Sequence, residues 1–316
     1  MGDGPPLPVL ALFGPTACGK TDLALALADR RRVHLINGDA VQVYRDLGAG
    51  TARPRGGETR HPWALTGWLE PTDPVDVARW LAAAAAEIRW AVRAGRLPVV
   101  AGGSGLYLRA LVEGLSPAPG RQEGLRRRLR RLAEVRGRGF LHRILGRLDP
   151  EAARRLAPAD LPRVIRALEV RVSTGRSLLA FHTGGGARSY RVLEVGVGLP
   201  RPVMDRRIDR RVERFLRRGL VAEVRWLLET RGLAPENHAL RAIGYRETVE
   251  WLRDGRRGGE SALCHRIQRH TRRLARRQLT WFRGRPRALW LDPRWPGALD
   301  RLVELVDRHA KAGAPA

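Results

Sequence analysis

Lysine is all but missing from this 316-residue chain. Lys20 and Lys311 are the only two, although lysine and arginine together number 59. Arginine therefore carries the positive charge almost alone, and position 20 stands out as a place that keeps a compact ammonium. Cysteine is nearly absent too. Cys18 and Cys264 are the only two, and they form neither a disulfide framework nor a zinc-ligand spacing. No apolar run approaches the ~20 residues of a membrane span. Met1 to Pro8 lacks the basic start and apolar stretch of a secretory leader. These absences point to a soluble, cytoplasmic chain with no membrane partner. Acid is scarce as well: 32 Asp and Glu leave a formal net charge of +27. Such a field attracts polyanions, nucleic acid first and anionic lipid second. There are no paired aromatics of the kind that mark strand-borne RNA readers, and no internal repeat.

What is present suits one large α/β domain with an insert, or two domains. An apolar content of 43% is enough for a sizeable core. Val9 to Phe13 reads as a buried strand ending at Gly14, Thr21 to Asp29 as a helix, and Val33 to Ile36 as a second strand. Asp73 is expected to cap a long helix, with Pro74 in its first turn and Asp76 near its positive end. That helix stops at Gly95. Pro98 to Ala101 is a third strand. The alternation predicts a parallel sheet flanked by helices. From Ser116 to Gly186 the strands vanish. Between Ser116 and Arg188 arginine outnumbers acid 17 to 6. Ser116 to Gly120 and Gly184 to Gly186 look like hinges. The expected organisation is a core of residues 1–115 and 189–316 with a basic helical insertion at 116–188. Arg191 to Val197 returns to the sheet. Met204 to Arg231, Leu240 to Leu252 and Gly259 to Arg283 read as helices, and Ala288 to Leu291 as a last strand. On the long helix, Leu263, Ile267, Leu274 and Trp281 recur at core spacing. That puts Arg269, Arg272, Arg273 and Arg276 on other faces.

Gly14-Pro15-Thr16-Ala17-Cys18-Gly19-Lys20-Thr21 fits G-x-x-x-x-G-K-[ST], after a strand and before a helix. Glycines let backbone N–H groups curl round phosphate oxygens, and the helix N-terminus adds a positive end. Lys20 supplies a point charge and Thr21 a hydroxyl for phosphate or Mg²⁺. The motif, common among nucleotide-binding proteins, specifies a di- or triphosphate rather than ATP. The third strand ends in Gly102-Gly103-Ser104, where an ATP hydrolase usually places an acid. Asp39, after the second strand, lies at the same sheet edge as the loop. It can take a proton from a nucleophile, or simply cap a helix.

Asp39-Ala40-Val41-Gln42-Val43-Tyr44-Arg45, read with the loop, resembles the paired signatures of the tRNA dimethylallyltransferase (isopentenyltransferase) family. Gly50 to Pro54, Gly102 to Tyr107, Glu113 to Leu115, Asp149 to Ala153, Arg163 to Glu169, Ala242 to Arg246 and Arg277 to Trp281 agree in order. The resemblance covers residues 9 to 292. It implies a phosphate-loop α/β core and transfer of a dimethylallyl group from dimethylallyl diphosphate to an adenosine in the tRNA anticodon loop. Asp39 would be the general base and Gln42 would hold the adenine. Thr16 to Thr21, with Mg²⁺ at Thr21, would bind the diphosphate together with Arg207, helped by Arg211. Ala40, Val41 and Ser104 would line the RNA side. Pro162, Arg163, Val164, Ile165 and Arg166 would touch tRNA, as would Arg241, Ala242, Ile243, Gly244, Tyr245 and Arg246. The expected form is a monomer.

Five positions depart from the family pattern. Ala40 replaces a usual Ser, Ser104 a usual Thr, Trp63-Ala64 a frequent His-His pair, and Cys18 a common Ser. Cys18, at a helix N-terminus, is either an oxidisable thiol or a passive loop residue. Two rival readings stay open on residues alone. A small-molecule kinase explains the loop and Asp39 but not the charge. An RNA-binding NTPase explains the charge but leaves Asp39 and Gln42 idle.

Overall fold

The computed structural model describes residues 6–51, 53, 60–73, 75–181 and 190–312. Pro74 and the Gly184–Gly186 hinge lie outside them. The chain divides into two compact units, Met1–Val112 with Ser189–Ala316, and Glu113–Arg188.

The first unit is built on six strands: β1 (Leu7–Phe13), β2 (Val33–Asn37), β3 (Trp63–Ala64), β4 (Leu97–Gly102), β5 (Tyr190–Val197) and β6 (Leu289–Leu291). They form one parallel sheet in the order β3-β2-β4-β1-β5-β6. A parallel sheet covered on both faces needs strands that are apolar at every position, which explains the uninterrupted run in β1. Val9, Ala11 and Phe13 enter the core on one face, and Leu10 and Leu12 enter the core on the other. The second face is covered by α1 (Lys20–Arg30) and α12 (Ala298–Lys311) through Leu23, Leu27, Leu302 and Val306. The first face carries α2 (Val77–Arg93), α3 (Gly105–Glu113), α8 (Arg201–Arg217), α9 (Leu220–Glu229), α10 (Tyr245–Arg253) and α11 (Gly259–Arg283).

Several expectations need correction. Asp76, not Asp73, caps α2, accepting a hydrogen bond from the Arg79 N–H. The span read as one helix from Met204 to Arg231 is broken by Gly219, whose φ of 86° starts α9 afresh. The span from Leu240 is a 3-10 turn (Ala239–Arg241). The helix starts only at Tyr245, after Gly244 at φ 99°. The elements β3, α3 and α12 were not expected at all. Trp281 is 37% exposed rather than a core residue, whereas Leu263 and Ile267 are buried as expected.

The second unit holds α4 (Glu123–Arg136), α5 (Arg138–Leu148), α6 (Pro150–Arg155) and α7 (Leu161–Thr174), followed by a 3-10 turn at Leu178–Phe181. Leu141, Leu145, Val164, Ile165 and Leu168 form its core. Glu169 is fully buried there, a costly place for a carboxylate unless it is fully paired. It accepts from Arg126 at 2.8 and 2.9 Å, from Arg166 at 2.7 Å and from the Gln122 N–H at 2.6 Å. Burial alone would raise its pKa, but these donors bring it down to about 2. A carboxylate depressed on folding stabilises the folded state above its ordinary pKa and loses that contribution as pH falls through the folded value. Glu169→Gln should therefore destabilise the unit by on the order of 3 kcal/mol at neutral pH. It should also flatten the acid dependence between roughly pH 4.5 and 2. Urea unfolding of both proteins across that range checks this.

Candidate active site

The carboxyl ends of β1, β2 and β4 lie at one sheet edge, where ligands of open parallel sheets collect. The loop from β1 to α1 starts at Gly14, where a Cβ would stand 2.2 Å from the Val197 carbonyl oxygen, so only glycine fits. Gly19, at φ 99°, leads into α1 and offers its first turn no side-chain cap. Those N–H groups are therefore available to an anion. The Lys20 ammonium curls across the loop, donating to the carbonyls of Gly14 at 2.9 Å and Pro15 at 2.8 Å. Cys18 is 0% exposed, which removes the reading of it as an oxidisable thiol and leaves it as packing.

Asp39 is set by Asn37, the buried last residue of β2. The Asn37 amide donates to the carbonyls of Asp39 and Leu65, both at 3.0 Å, and its Oδ1 accepts from the Asp39 N–H at 2.9 Å. Asn37 is itself held through its carbonyl by the Trp80 indole N–H at 2.9 Å, and Trp80 stacks on Tyr107. Oδ1 of Asp39 accepts from the Val41 N–H at 2.9 Å, closing a turn rather than capping a helix. Ser104 Oγ accepts from the Ala40 N–H at 2.9 Å, tying the β2 end to the β4 end.

Three spaces meet here. A 520 Å³ cavity is lined by Lys20, Thr21, Arg53, Arg207, Arg210, Arg211 and Arg214, with Asp22 as the acid in its wall. A 480 Å³ cavity, more apolar, is lined by Asp39, Ala40, Val41, Ser104, Tyr107, Ile243, Leu274, Trp281 and Phe282. A throat of 40 Å³ shares walls with both, among them Thr16, Thr21, Asp39, Gln42, Arg211 and Gln278. Arg211 borders all three. Burial lowers its pKa, partly offset by the charge of Asp39. The carbonyl of Thr51 accepts from both Arg211, at 3.3 Å, and Gln42, at 3.0 Å, so one backbone oxygen orients two lining side chains.

The expected site residues thus divide. Thr16, Ala17, Gly19, Lys20 and Thr21 of the loop gather at the cavities with Asp39, Ala40, Val41, Gln42, Ser104, Arg207 and Arg211, whereas Gly14, Pro15 and Cys18 shape the loop behind them. Val164 and Ile165 do not face solvent: both are core residues of the second unit. Arg166 is occupied by Glu169 and by the Pro119 carbonyl at 2.8 Å. Pro162 and Arg163 are exposed, with Arg163 3.2 Å from Asp160. Tyr245 is buried, its hydroxyl 2.6 Å from Glu223, and Gly244 serves as the α10 cap. Arg241 and Arg246 are exposed, Ala242 half-buried, and Ile243 reaches the apolar cavity.

Gln278 carries a role that its motif alone did not disclose. Its Oε1 accepts from the Thr16 N–H at 2.9 Å and its Nε2 donates to the Gly103 carbonyl at 2.8 Å. One amide thereby braces the phosphate loop against the end of β4. In the sequence it shows only as part of the Arg277–Trp281 segment, one of two glutamines on an arginine-rich helix.

A parallel sheet with this loop defines the chain as a phosphate-loop α/β protein. Models of two families match it, IPP transferase over residues 42–285 and isopentenyl transferase over residues 7–61. The tRNA dimethylallyltransferase 1 of Pelobacter propionicus is 42% identical, with 92% of this chain and 94% of that protein covered. The tRNA dimethylallyltransferase of Streptomyces coelicolor is 41% identical, with 99% and 100% covered. Among solved structures, the tRNA isopentenylpyrophosphate transferase of Bacillus halodurans superposes with a TM-score of 0.70. It is 32% identical, and the match covers 96% of this chain and 98% of that one. A eukaryotic dimethylallyltransferase acting on tRNA shares the fold, with a TM-score of 0.80 at 23% identity over 98% and 80% of the two chains. The chain belongs to the tRNA dimethylallyltransferase (IPP transferase) family.

Replacing Gln278 by Leu keeps the side chain's bulk but frees the loop. A small displacement of reacting groups costs roughly 10²-fold in rate. Gln278→Leu should therefore lower turnover by roughly that factor while thermal unfolding shifts little. Steady-state kinetics beside a melting curve will show whether the two effects separate.

Proposed function

We propose that this chain transfers the dimethylallyl group of dimethylallyl diphosphate to the exocyclic amino nitrogen of an adenosine 3′ of the anticodon in tRNA, releasing diphosphate. The observation that carries this reading is the throat: it shares walls with a basic cavity and an apolar one, and its own lining holds a single carboxylate, Asp39. The donor's charged end suits Lys20, the loop N–H groups, Arg207 and Arg211. Its allylic end suits the narrow passage. The acceptor base suits the apolar cavity, reached by leaving its stack.

The chemistry balances. A bond forms between the amino nitrogen and the allylic carbon, and the carbon–oxygen bond to diphosphate breaks, its electron pair leaving with the phosphate. The nitrogen's proton passes to Asp39 as the bond forms, since the ring-delocalised lone pair makes the neutral amine a poor nucleophile. Lys20, Arg207 and Arg211 neutralise the departing charge. Among the described residues no cluster of His, Cys, Asp or Glu could hold a metal by itself. The oxygen donor present, the Thr21 hydroxyl, fits Mg²⁺, a hard ion that keeps several waters and is held largely by substrate phosphates. When bound, Mg²⁺ would add charge stabilisation at the diphosphate.

Exposed arginines on α11 and the arginine-rich second unit favour contact with tRNA phosphates, which fix register without reading sequence. Among the described residues no helix is long and apolar enough to cross a membrane. We take the working form to be a cytoplasmic monomer.

Incubation with tRNA and labelled dimethylallyl diphosphate, followed by digestion, should yield a prenylated adenosine. ATP hydrolysis without prenyl transfer would point to the kinase or NTPase readings instead. Asp39→Asn should cut turnover by roughly 10²–10⁴-fold with tRNA affinity retained. Near-normal turnover would remove Asp39 from its role. Arg269, Arg273 and Arg276 are exposed on α11. Each phosphate contact contributes about −0.7 to −0.9 to the slope of log K against log salt. Removing one such arginine should make the tRNA slope shallower by about that amount and weaken all tRNAs alike. A flat slope in the parent protein would remove the phosphate-contact reading.

A further inference from the structure

Helix α8 has three faces. Met204, Ile208, Val212 and Phe215 enter the core. Its acids, Asp205, Asp209 and Glu213, repeat every four residues and are engaged elsewhere: with Arg201 at 3.8 Å, with Arg272, and with Arg217 at 4.0 Å. Arg207, Arg210, Arg211 and Arg214 share the remaining face, because residues three and four apart are helical neighbours. All four line the 520 Å³ cavity. The helix thus spends two acids on its own outer arginines and one on Arg272 of α11, and leaves the cavity face positive. Arg210 and Arg214 are exposed, and Glu213, the acid nearest to them on the helix, is paired with Arg217.

This face is longer than the site needs. At ~1.5 Å of rise per residue, Arg214 sits about 10 Å along the axis from Arg207. A diphosphate seated on the loop, Lys20 and Arg207 leaves Arg214 two helical turns away. A row of guanidiniums that outnumbers the one acid of the cavity wall, Asp22, repels itself and gains most from a multivalent anion that bridges neighbours.

We propose that Arg210 and Arg214 form a second anion station in the outer part of the basic cavity. The station takes a diphosphate group: the donor's on its way to the loop, and the product's on its way out. It rests on the proposed reaction for the identity of that traffic, but not for the existence of the site. Arg207 belongs to both positions, so an anion is passed along the helix face rather than released and recaptured.

Calorimetric titration of the full-length chain with inorganic diphosphate tests this directly. The parent should bind two diphosphates. Arg210→Gln/Arg214→Gln should bind one, with affinity close to the tighter parental site. Lys20→Ala should lose the inner site and keep the outer. Both arginines are exposed and lie in a like-charged row, so the double variant should melt no lower than the parent. In turnover, the double variant should lose about tenfold in kcat/KM for the donor, with a larger loss in kcat/KM than in kcat, and a flatter salt dependence, the signature of lost steering. A single diphosphate site in the parent, or two in the double variant, would overturn the station. So would an unchanged salt dependence of kcat/KM. If two diphosphates bind but no prenyl group is transferred, the reaction is wrong and the station stands. If transfer proceeds with one diphosphate site, the reverse holds.

Discussion

The close approach of two backbones, at Gly38 and Gly102, is the constraint from which the site follows. A Cβ on Gly102 would lie 2.1 Å from the Gly38 carbonyl group. The Gly38 N–H donates to the Ala101 carbonyl at 2.8 Å, and the Ser104 N–H donates to the Gly38 carbonyl at 3.3 Å. The pairing of β2 with β4 thus continues past both strand ends. Because it does, Asp39 emerges beside Gly103 and Ser104 instead of turning back over the sheet. Any side chain at position 102 would push those two ends apart, and the carboxylate would leave the throat. The carboxylate proposed as the base is placed by two residues that have no side chain.

Helix α11 is the second organising element. It is the longest in the chain, 25 residues, and serves three environments at once. Leu263, Ile267 and Phe282 are buried in the core, Gln278 braces the phosphate loop, and Trp281 and Leu274 line the apolar cavity. A helix that carries so many obligations tolerates little rotation about its own axis. The Arg285–Glu194 pair, bidentate at 2.9 and 3.2 Å and largely buried, fastens its C-terminal end to β5. The basic face of the same helix then projects by default, as the surface left over when the core and the site have been served.

Much of this was legible in the residues. The phosphate loop is a local pattern whose spacing carries its own geometry, so its position between β1 and α1 followed directly. Asp39 was legible as a residue at the correct sheet edge, but not as a turn-closing carboxylate, since that depends on Asn37 and Trp80. The role of Gln278 was not legible: its partner Thr16 lies 262 residues away, and nothing local says that the two meet. The breaks at Gly219 and Gly244 were hidden because glycine inside an apolar periodicity is ambiguous between a tolerated cost and a left-handed turn. Segments singled out by resemblance mixed faces. Val164, Ile165 and Tyr245 sit beside exposed arginines in sequence but point into the interior, because adjacent helical positions look in different directions.

The throat has a consequence in time rather than space. It is narrow, 40 Å³ beside cavities of 520 and 480 Å³, and shares lining residues with both. On the proposed reaction, a donor seated on one side and a base on the other would leave little room between them for water. Transfer would then wait for both arrivals, and the protein would act as a coincidence gate whose moving parts are its own substrates.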